Sequence, residues 1–169
     1  VGRVLSGSTR PNGLRIEKVT VPLGVIGIIY EARPNVTSDA AALCLKAGNA
    51  VILRGGKEAI NSNKAVAHLM RAAVEKAGLP ADTVNLIEDT SRESANKLMR
   101  KHNITFILGV PNMFRKMYEE KHFAGQHLKN LRLVFCGGDF LPERFVKEFN
   151  KKIAEYGGKG KLFRGSGLT

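Results

Sequence analysis

At 169 residues, 43% of them hydrophobic and 25% charged, the chain has the size and composition of one globular domain, without the run of about 20 apolar residues that a membrane span needs. Its first residues lack the order of regions that defines a signal peptide, and a start at Val1 suggests an excised segment. The net charge of +12 is spread over scattered basic residues, with 7% aromatics and no Trp, which predicts salt-sensitive attraction to polyanions and excludes a base-stacking surface.

The first third of the chain predicts a hairpin followed by alternating strands and helices. Residues 3–20 alternate apolar and polar positions around the turn Pro11-Asn12-Gly13. The β-branched run Val25–Tyr30 predicts a strand buried on both faces. Thr37 or Ser38 can cap the helix that follows, and Gly48 can end it.

The next segment predicts two further strands around a long helix. The strands are Ala50–Leu53 and Thr83–Ile87, and the helix runs from about Ile60 to Lys76. The inner side of this helix is predicted at Ala65, Leu69, Ala72 and Ala73.

The second half continues the alternation. Helices are predicted over 94–102, from Pro111 to about Glu120, and from Pro142 through Phe145, Phe149 and Ile153; the strands are 104–108, 131–135 and 161–163. Six strands alternating with five helices predict a single α/β domain with a Rossmann-like, doubly wound, mostly parallel sheet and helices on both faces. The N-terminal hairpin adds an exposed edge that favours self-association.

The two cysteines and four histidines have no metal-binding spacing. Cys44 and Cys136 are far apart and outside any Cys-x-x-Cys pattern, so each is predicted to be a small core residue in a reducing, cytosolic setting. The histidines, which form no His-x-x-x-His pair, are His68, His102, His122 and His127. No metal site is predicted.

Residues 1 to about 93 resemble the γ-glutamyl phosphate reductases (glutamate-5-semialdehyde dehydrogenases) of the aldehyde dehydrogenase superfamily. The matching residues include Pro11–Leu14, the run PLGVIGIIYEARPNVTSDAAALCLKAGNAVILRGGKEAINSNKA, and LIEDTSRE. The resemblance implies NADPH-dependent reduction of an acyl phosphate. It also implies an oligomer contact through the hairpin.

Residues from about 95 to 169 resemble the adenylate-forming acyl-CoA synthetases and ligases. The resemblance is carried by Ile104–Phe106, by Gly109–Phe114, by Leu128–Gly138 with Leu141-Pro142, and by Gly165–Thr169. It implies ATP-dependent ligase chemistry. The two resemblances meet at a seam predicted near residues 92–95.

The catalytic groups of both families are absent from matching positions. The reductase resemblance implies a cysteine nucleophile in a catalytic domain outside this sequence, and Cys44, between two leucines in a helix, is not predicted to replace it. Asn35 matches a position that would stabilise an oxyanion, although a turn at the helix entry explains it as well. On the ligase side, Ser166 stands where an aromatic residue would stack on adenine. No catalytic residue is therefore assigned.

Cofactor binding is predicted at the loop Arg54-Gly55-Gly56-Lys57-Glu58. The reductase resemblance places this loop beside the adenosine ribose and its phosphate. Two glycines permit close backbone approach, and a helix begins just beyond them. Arg54 and Lys57 would hold a 2′-phosphate and Glu58 a ribose hydroxyl, whereas the alternative is a tight strand-to-helix turn with solvated charges.

Three functional hypotheses follow from the sequence. The first is an engineered, de novo chimeric domain without catalytic turnover, made to test whether fragments of two enzymes fold together. The second is a truncated glutamate-5-semialdehyde dehydrogenase-like domain that retains weak NADP(H) binding. The third is non-specific polyanion binding through the basic surface.

Overall fold

The computed structural model describes residues 1–31, 33–120, 123 and 125–165. Eight strands and five α-helices are formed within these residues. In chain order the elements are β1 Val4–Thr9, β2 Arg15–Val19, β3 Val25–Ile29, α1 Pro34–Lys46, β4 Ala50–Arg54, α2 Ile60–Lys76, β5 Val84–Leu86, α3 Arg92–Lys101, β6 Phe106–Gly109, α4 Pro111–Glu119, β7 Leu133–Cys136, α5 Glu143–Glu155 and β8 Lys161–Arg164.

The N-terminal hairpin forms a sheet of its own. Strands β1 and β2 pair antiparallel, with Ser8 opposite Ile16. The turn closes through bonds from the Gly13 amide to the Arg10 carbonyl and from the Arg10 amide to the Leu14 carbonyl, both of 2.9 Å. Gly13 has a φ of 84°, a conformation that glycine adopts without steric cost. The hairpin is thus confirmed, and self-association through it stays a prediction.

The remaining six strands form one parallel sheet in the order β5-β4-β3-β6-β7-β8. The order reverses after β5, because the chain moves outward from β3 through β4 to β5 and then returns to pair β6 with the other side of β3. This is the doubly wound arrangement that the sequence predicts.

Helices cover both faces of this sheet, and each face has its own core. On one face, Ala41 and Cys44 of α1 and Val74 of α2 pack against Val51 and Leu53. The other face carries the residues of α3, α4 and α5; its buried members include Leu98, Phe114, Met117, Phe149 and Ile153. Aromatic rings dominate this second face, where Phe114 and Phe149 meet edge to face at 5.8 Å between ring centroids.

Helix α1 begins earlier than predicted. It starts at Pro34, with Arg33 in an extended conformation before it and no side-chain cap. Proline suits the first helical position because its fixed φ is already helical and no backbone N–H is needed there. Thr37, predicted as a cap, is instead fully buried inside the helix.

The inner side of α2 was also predicted wrongly. Its buried residues are Asn63, Ala67 and Val74, whereas Leu69 is 68% exposed. The apolar pattern was misleading because one inward position is the polar Asn63, whose Oδ1 accepts a hydrogen bond from Thr37 of α1. None of the helices in the described part of the chain has the length and apolar content to cross a bilayer.

Candidate cofactor-binding cleft

A cleft of about 1190 Å³ opens at the carboxyl ends of β3 and β6. This is the point where the strand order reverses, which leaves a crevice between two loops that diverge in opposite directions. Helix α4 supplies the wall opposite the loop that follows β4. The charged lining residues are Glu31, Arg54, Lys57, Glu58, Lys116, Glu119 and Glu120.

The predicted loop 54–58 lies at the edge of this cleft. Gly56 is extended (φ −65°, ψ 154°) and leads into a single 3-10 turn, Lys57–Ala59, which continues directly as α2. Gly55 is buried, and a Cβ at this position would collide with the side chain of Asn63. Only glycine therefore fits between β4 and α2 at this point.

Arg54 is committed to the protein itself. Its guanidinium donates to the carbonyl oxygens of Thr90 (2.8 Å) and Ser91 (3.0 Å) and to the hydroxyl of Ser94 (3.2 Å). These partners lie in the loop after β5 and in the first turn of α3. Arg54 thus joins two loops at the carboxyl end of the sheet.

Lys57 and Glu58, in contrast, are exposed at the cleft. Within the described residues neither side chain forms an ion pair. Lys57 also stands at the N-terminal end of the 3-10 turn, where backbone N–H groups lack intrahelical partners. This corner combines a free ammonium group with unpaired amides, which is a suitable environment for an anion.

A buried polar network supports the loop from behind. The Tyr30 hydroxyl lies 2.7 Å from the hydroxyl of Thr37, which in turn donates to Asn63 Oδ1 at 3.0 Å. Asn63 Nδ2, which faces Gly55, is buried without a hydrogen-bond partner. Burial raises the pKa of Tyr30, so its hydroxyl stays protonated. Asn63 was not predicted as part of the site, because its only sequence signal is a polar residue at an inward helical position.

The structure places Cys44 and Asn35 away from the cleft lining. Cys44 is buried in α1, as predicted, and burial raises the pKa of its thiol to about 11. Asn35 is exposed in the first turn of α1, where its Nδ2 donates to Asp39 at 3.3 Å. Cys136, the other cysteine, is also buried. The described cysteines therefore provide no activated thiol.

The loop after β7 forms hydrogen bonds within the protein that close the end of the strand. The Gly137 amide donates to the Gly109 carbonyl at 3.1 Å, and the Phe140 amide donates to Asp139 Oδ1 at 2.6 Å. The predictions concerning His122 and Ser166–Thr169 lie outside the described residues. In the described part of the chain, no group of three or more His, Cys, Asp or Glu side chains could hold a metal ion.

Sheet order and cleft together define a Rossmann-like α/β domain. Residues 81–169 match the family model of the AMP-binding enzymes, and through this segment the chain belongs to that family. Nothing in the match extends to residues before 81.

The chain is also similar to curated reductases, over alignments too long to lie wholly before residue 81. γ-Glutamyl phosphate reductase from Clostridium beijerinckii is 60% identical over 108 residues, which cover 64% of this chain and 26% of the relative. The reductase from Geobacillus sp. is 55% identical over 122 residues, or 70% of this chain and 30% of the relative. The chain thus spans about a quarter to a third of these relatives' length.

Solved structures show the same relationship. γ-Glutamyl phosphate reductase from Thermotoga maritima has a TM-score of 0.65 and 28% identity, over 92% of this chain and 45% of that one. The Saccharomyces cerevisiae reductase, at 20% identity and a TM-score of 0.59, covers 98% of this chain and shares its fold. The reductase resemblance of the first segment is thereby confirmed.

The hypothesis of an engineered, de novo chimera without turnover is wrong. Relatives named γ-glutamyl phosphate reductase are 55–63% identical over 100 to 122 residues, which favours a fragment of a reductase-like enzyme. An alignment of 108 residues is also longer than the segment 1–93 to which the resemblance had been limited. The boundary near residues 92–95 stays a prediction.

Proposed function

We propose that this chain is a portion of a γ-glutamyl phosphate reductase-like enzyme, and that its cleft binds NADP(H). The observation that carries the proposal is the position of Lys57. Its unpaired ammonium group lies at the start of a helical segment, on the wall of the cleft at the switch point of the sheet. Nucleotide cofactors bind at this location in doubly wound folds. Reductase relatives with about 60% identity support a nicotinamide nucleotide.

The residues that line the cleft fit NADP(H). Lys57 and the amides at the start of the 3-10 turn would hold the 2′-phosphate, and Glu58 would accept a hydrogen bond from a ribose hydroxyl. Arg54 contributes differently from the original expectation, because its donors are directed to Thr90, Ser91 and Ser94. It would hold the loop in shape and add long-range positive charge. The bound cofactor would supply hydride transfer.

Helix α4 would provide the opposite wall of the site. Asn112 and Lys116, one helical turn apart on α4, line the cleft together with Met113. Lys116 offers a second cation toward a nucleotide, whereas Glu119 and Glu120 disfavour an anion at the far end. The phosphates are therefore expected to lie between Lys57 and the N-terminal half of α4.

The test is a fluorescence titration with NADPH, in parallel with NADH and ATP at the same ionic strength. The proposal expects saturable binding in which NADPH is preferred over NADH by about tenfold, which corresponds to about 1.4 kcal/mol for one added charge-assisted contact. Equal affinity for the two dinucleotides, or tighter binding of ATP, would contradict it. A cooperative thermal transition must be observed first, so that absence of binding can be attributed to the site.

A further inference from the structure

A second concave surface lies at the opposite end of the sheet, at the amino ends of β6, β7 and β8. It encloses about 570 Å³. Three cations line it: Lys129 and Arg132 from the segment before β7, and Lys159 from the loop before β8. Among the described residues, no acidic side chain lines this surface.

The backbone holds together the segments that carry these cations. The Arg132 amide donates to the Thr105 carbonyl at 2.8 Å. Gly158 and Gly160 flank Lys159 and pack so tightly that a Cβ on either would lie 2.5 Å from a carbonyl oxygen, that of Leu128 or of Leu131. The loop carrying Lys159 therefore packs directly against the segment that carries Lys129 and Arg132.

Polar donors complete the surface. Asn130 Nδ2 donates to Asn103 Oδ1 at 2.9 Å, which leaves the amide nitrogen of Asn103 available as a donor. Asn103 is held with a φ of 48°, a left-handed conformation that is uncommon outside glycine. Both residues line the same concavity as the three cations.

This surface carries more positive charge than is needed to balance the helix C-termini near it. Helices α3 and α5 end near the amino ends of the strands, and each C-terminus contributes about half a negative charge. About one unit of positive charge would balance them, whereas three cations are present. Within the described chain none of the three forms an ion pair with a carboxylate. These three exposed cations therefore give the surface a local positive charge, which attracts anions.

We infer that the surface formed by Lys129, Arg132 and Lys159 binds a small multivalent phosphate-type anion, such as pyrophosphate or the phosphate group of a metabolite. The concavity has the size of a small ligand, and its three cations line one confined surface. This geometry favours a compact anion over a nucleic-acid strand. The site is at the end of the sheet remote from the proposed cofactor cleft and does not depend on it.

The experiment is calorimetric titration of the chain with pyrophosphate at low ionic strength, with sulfate and a single-stranded oligonucleotide as comparison ligands. Saturable pyrophosphate binding, tighter than that of sulfate, is expected. The triple variant Lys129→Gln, Arg132→Gln, Lys159→Gln should bind pyrophosphate at least about tenfold more weakly. Oligonucleotide affinity that rises steeply with strand length while pyrophosphate does not saturate would overturn the inference in favour of polyanion binding.

A control variant with the same change in net charge distinguishes binding at this surface from a general effect of the protein's positive charge. The triple variant Arg3→Gln, Arg10→Gln, Lys18→Gln alters three cations of the exposed hairpin and should retain pyrophosphate affinity. An equal loss in both triple variants would overturn the inference.

A measurement on the unaltered chain tests the inference even if the triple variant fails to fold. Amide chemical shifts in a 15N-labelled sample should move at residues 129–132 and 157–160 on addition of pyrophosphate. Shifts confined to the loop 54–58 would assign the anion to the cofactor cleft and would overturn a second site. NADPH titration of the first triple variant should give unchanged affinity, so the two proposals fail independently.

Discussion

The guanidinium of Arg54 donates a 2.8 Å hydrogen bond to the carbonyl oxygen of Thr90. Thirty-six positions separate these residues, and the bond joins the end of β4 to the loop that follows β5. The reductase resemblance implies a phosphate contact for Arg54, and in the structure its guanidinium also bonds within the protein. The difference between Arg54 and its neighbour Lys57 leads to two separable predictions.

Arg54→Met should destabilise the domain. Its three hydrogen bonds are charge-assisted, and two of them are partly buried, so we expect the free energy of unfolding to fall by about 1–3 kcal/mol. Urea denaturation measures this fall. Lys46→Met, an exposed cation in the last turn of α1, is the comparison and should change stability by less than about 1 kcal/mol. A loss no larger than that of the comparison would show that Arg54 is not a structural clamp.

Lys57→Gln should alter ligand affinity without altering stability. Because the side chain is exposed and unpaired within the described residues, its removal should change the unfolding free energy by less than about 0.5 kcal/mol. NADPH affinity should fall about fivefold to tenfold, and NADH affinity should stay constant. Lys64→Gln, whose lysine pairs with Glu88 at 2.7 Å, is the control. A parallel loss of NADH and NADPH affinity would remove Lys57 from the 2′-phosphate site.

The network behind the loop should be energetically coupled. Thr37→Val removes the hydroxyl that bonds both Tyr30 and Asn63 and leaves the buried Asn63 Oδ1 without its donor. We expect a loss of about 2–3 kcal/mol in unfolding free energy. A double-mutant cycle with Tyr30→Phe should give a coupling energy of at least about 0.5 kcal/mol. Strict additivity would mean that the groups do not act together.

Gly27 should tolerate no side chain. It lies in β3, and a Cβ would come within 2.6 Å of Ile104 Cδ1 and 2.8 Å of Leu98 Cδ2. Gly27→Ala is expected to cost about 1–3 kcal/mol through overpacking. Gly7→Ala, where the added Cβ would approach the Ile16 carbonyl oxygen only to 3.4 Å, is the matched change in the hairpin. Equal transition midpoints for the two variants would mean that packing between the early strands and residues 98–104 is loose.

Cys44 should make stability dependent on alkaline pH. Burial raises the pKa of its thiol to about 11, above the ordinary value of about 8.5. From about pH 9 to 11 the unfolded chain therefore holds fewer protons than the folded chain, and stability falls as pH rises through this window. Chemical denaturation at pH 8 and pH 10.5 measures the effect, and Cys44→Ala should reduce it. Rapid labelling of Cys44 by a thiol reagent at neutral pH in the folded state would contradict the assignment.

Much of the fold was determined by the sequence itself. Six parallel strands and five helices were predicted from three features: the buried β-branched run at 25–29, the bracketing glycines and the period of the helices. Such a run is typical of a parallel strand buried on both faces. The hairpin also followed from its Pro11-Asn12-Gly13 turn. These features are local, and local sequence encodes them.

Only the tertiary structure decided which polar groups face one another. The inward face of α2 depended on Asn63 meeting Thr37 of α1, and the role of Arg54 depended on carbonyls thirty-six and thirty-seven positions away. The placement of Lys129, Arg132 and Lys159 on one surface likewise required the strand order. Hydrogen bonds and charge clusters of this kind are set by distances across the fold, and spacing along the chain carries no information about them.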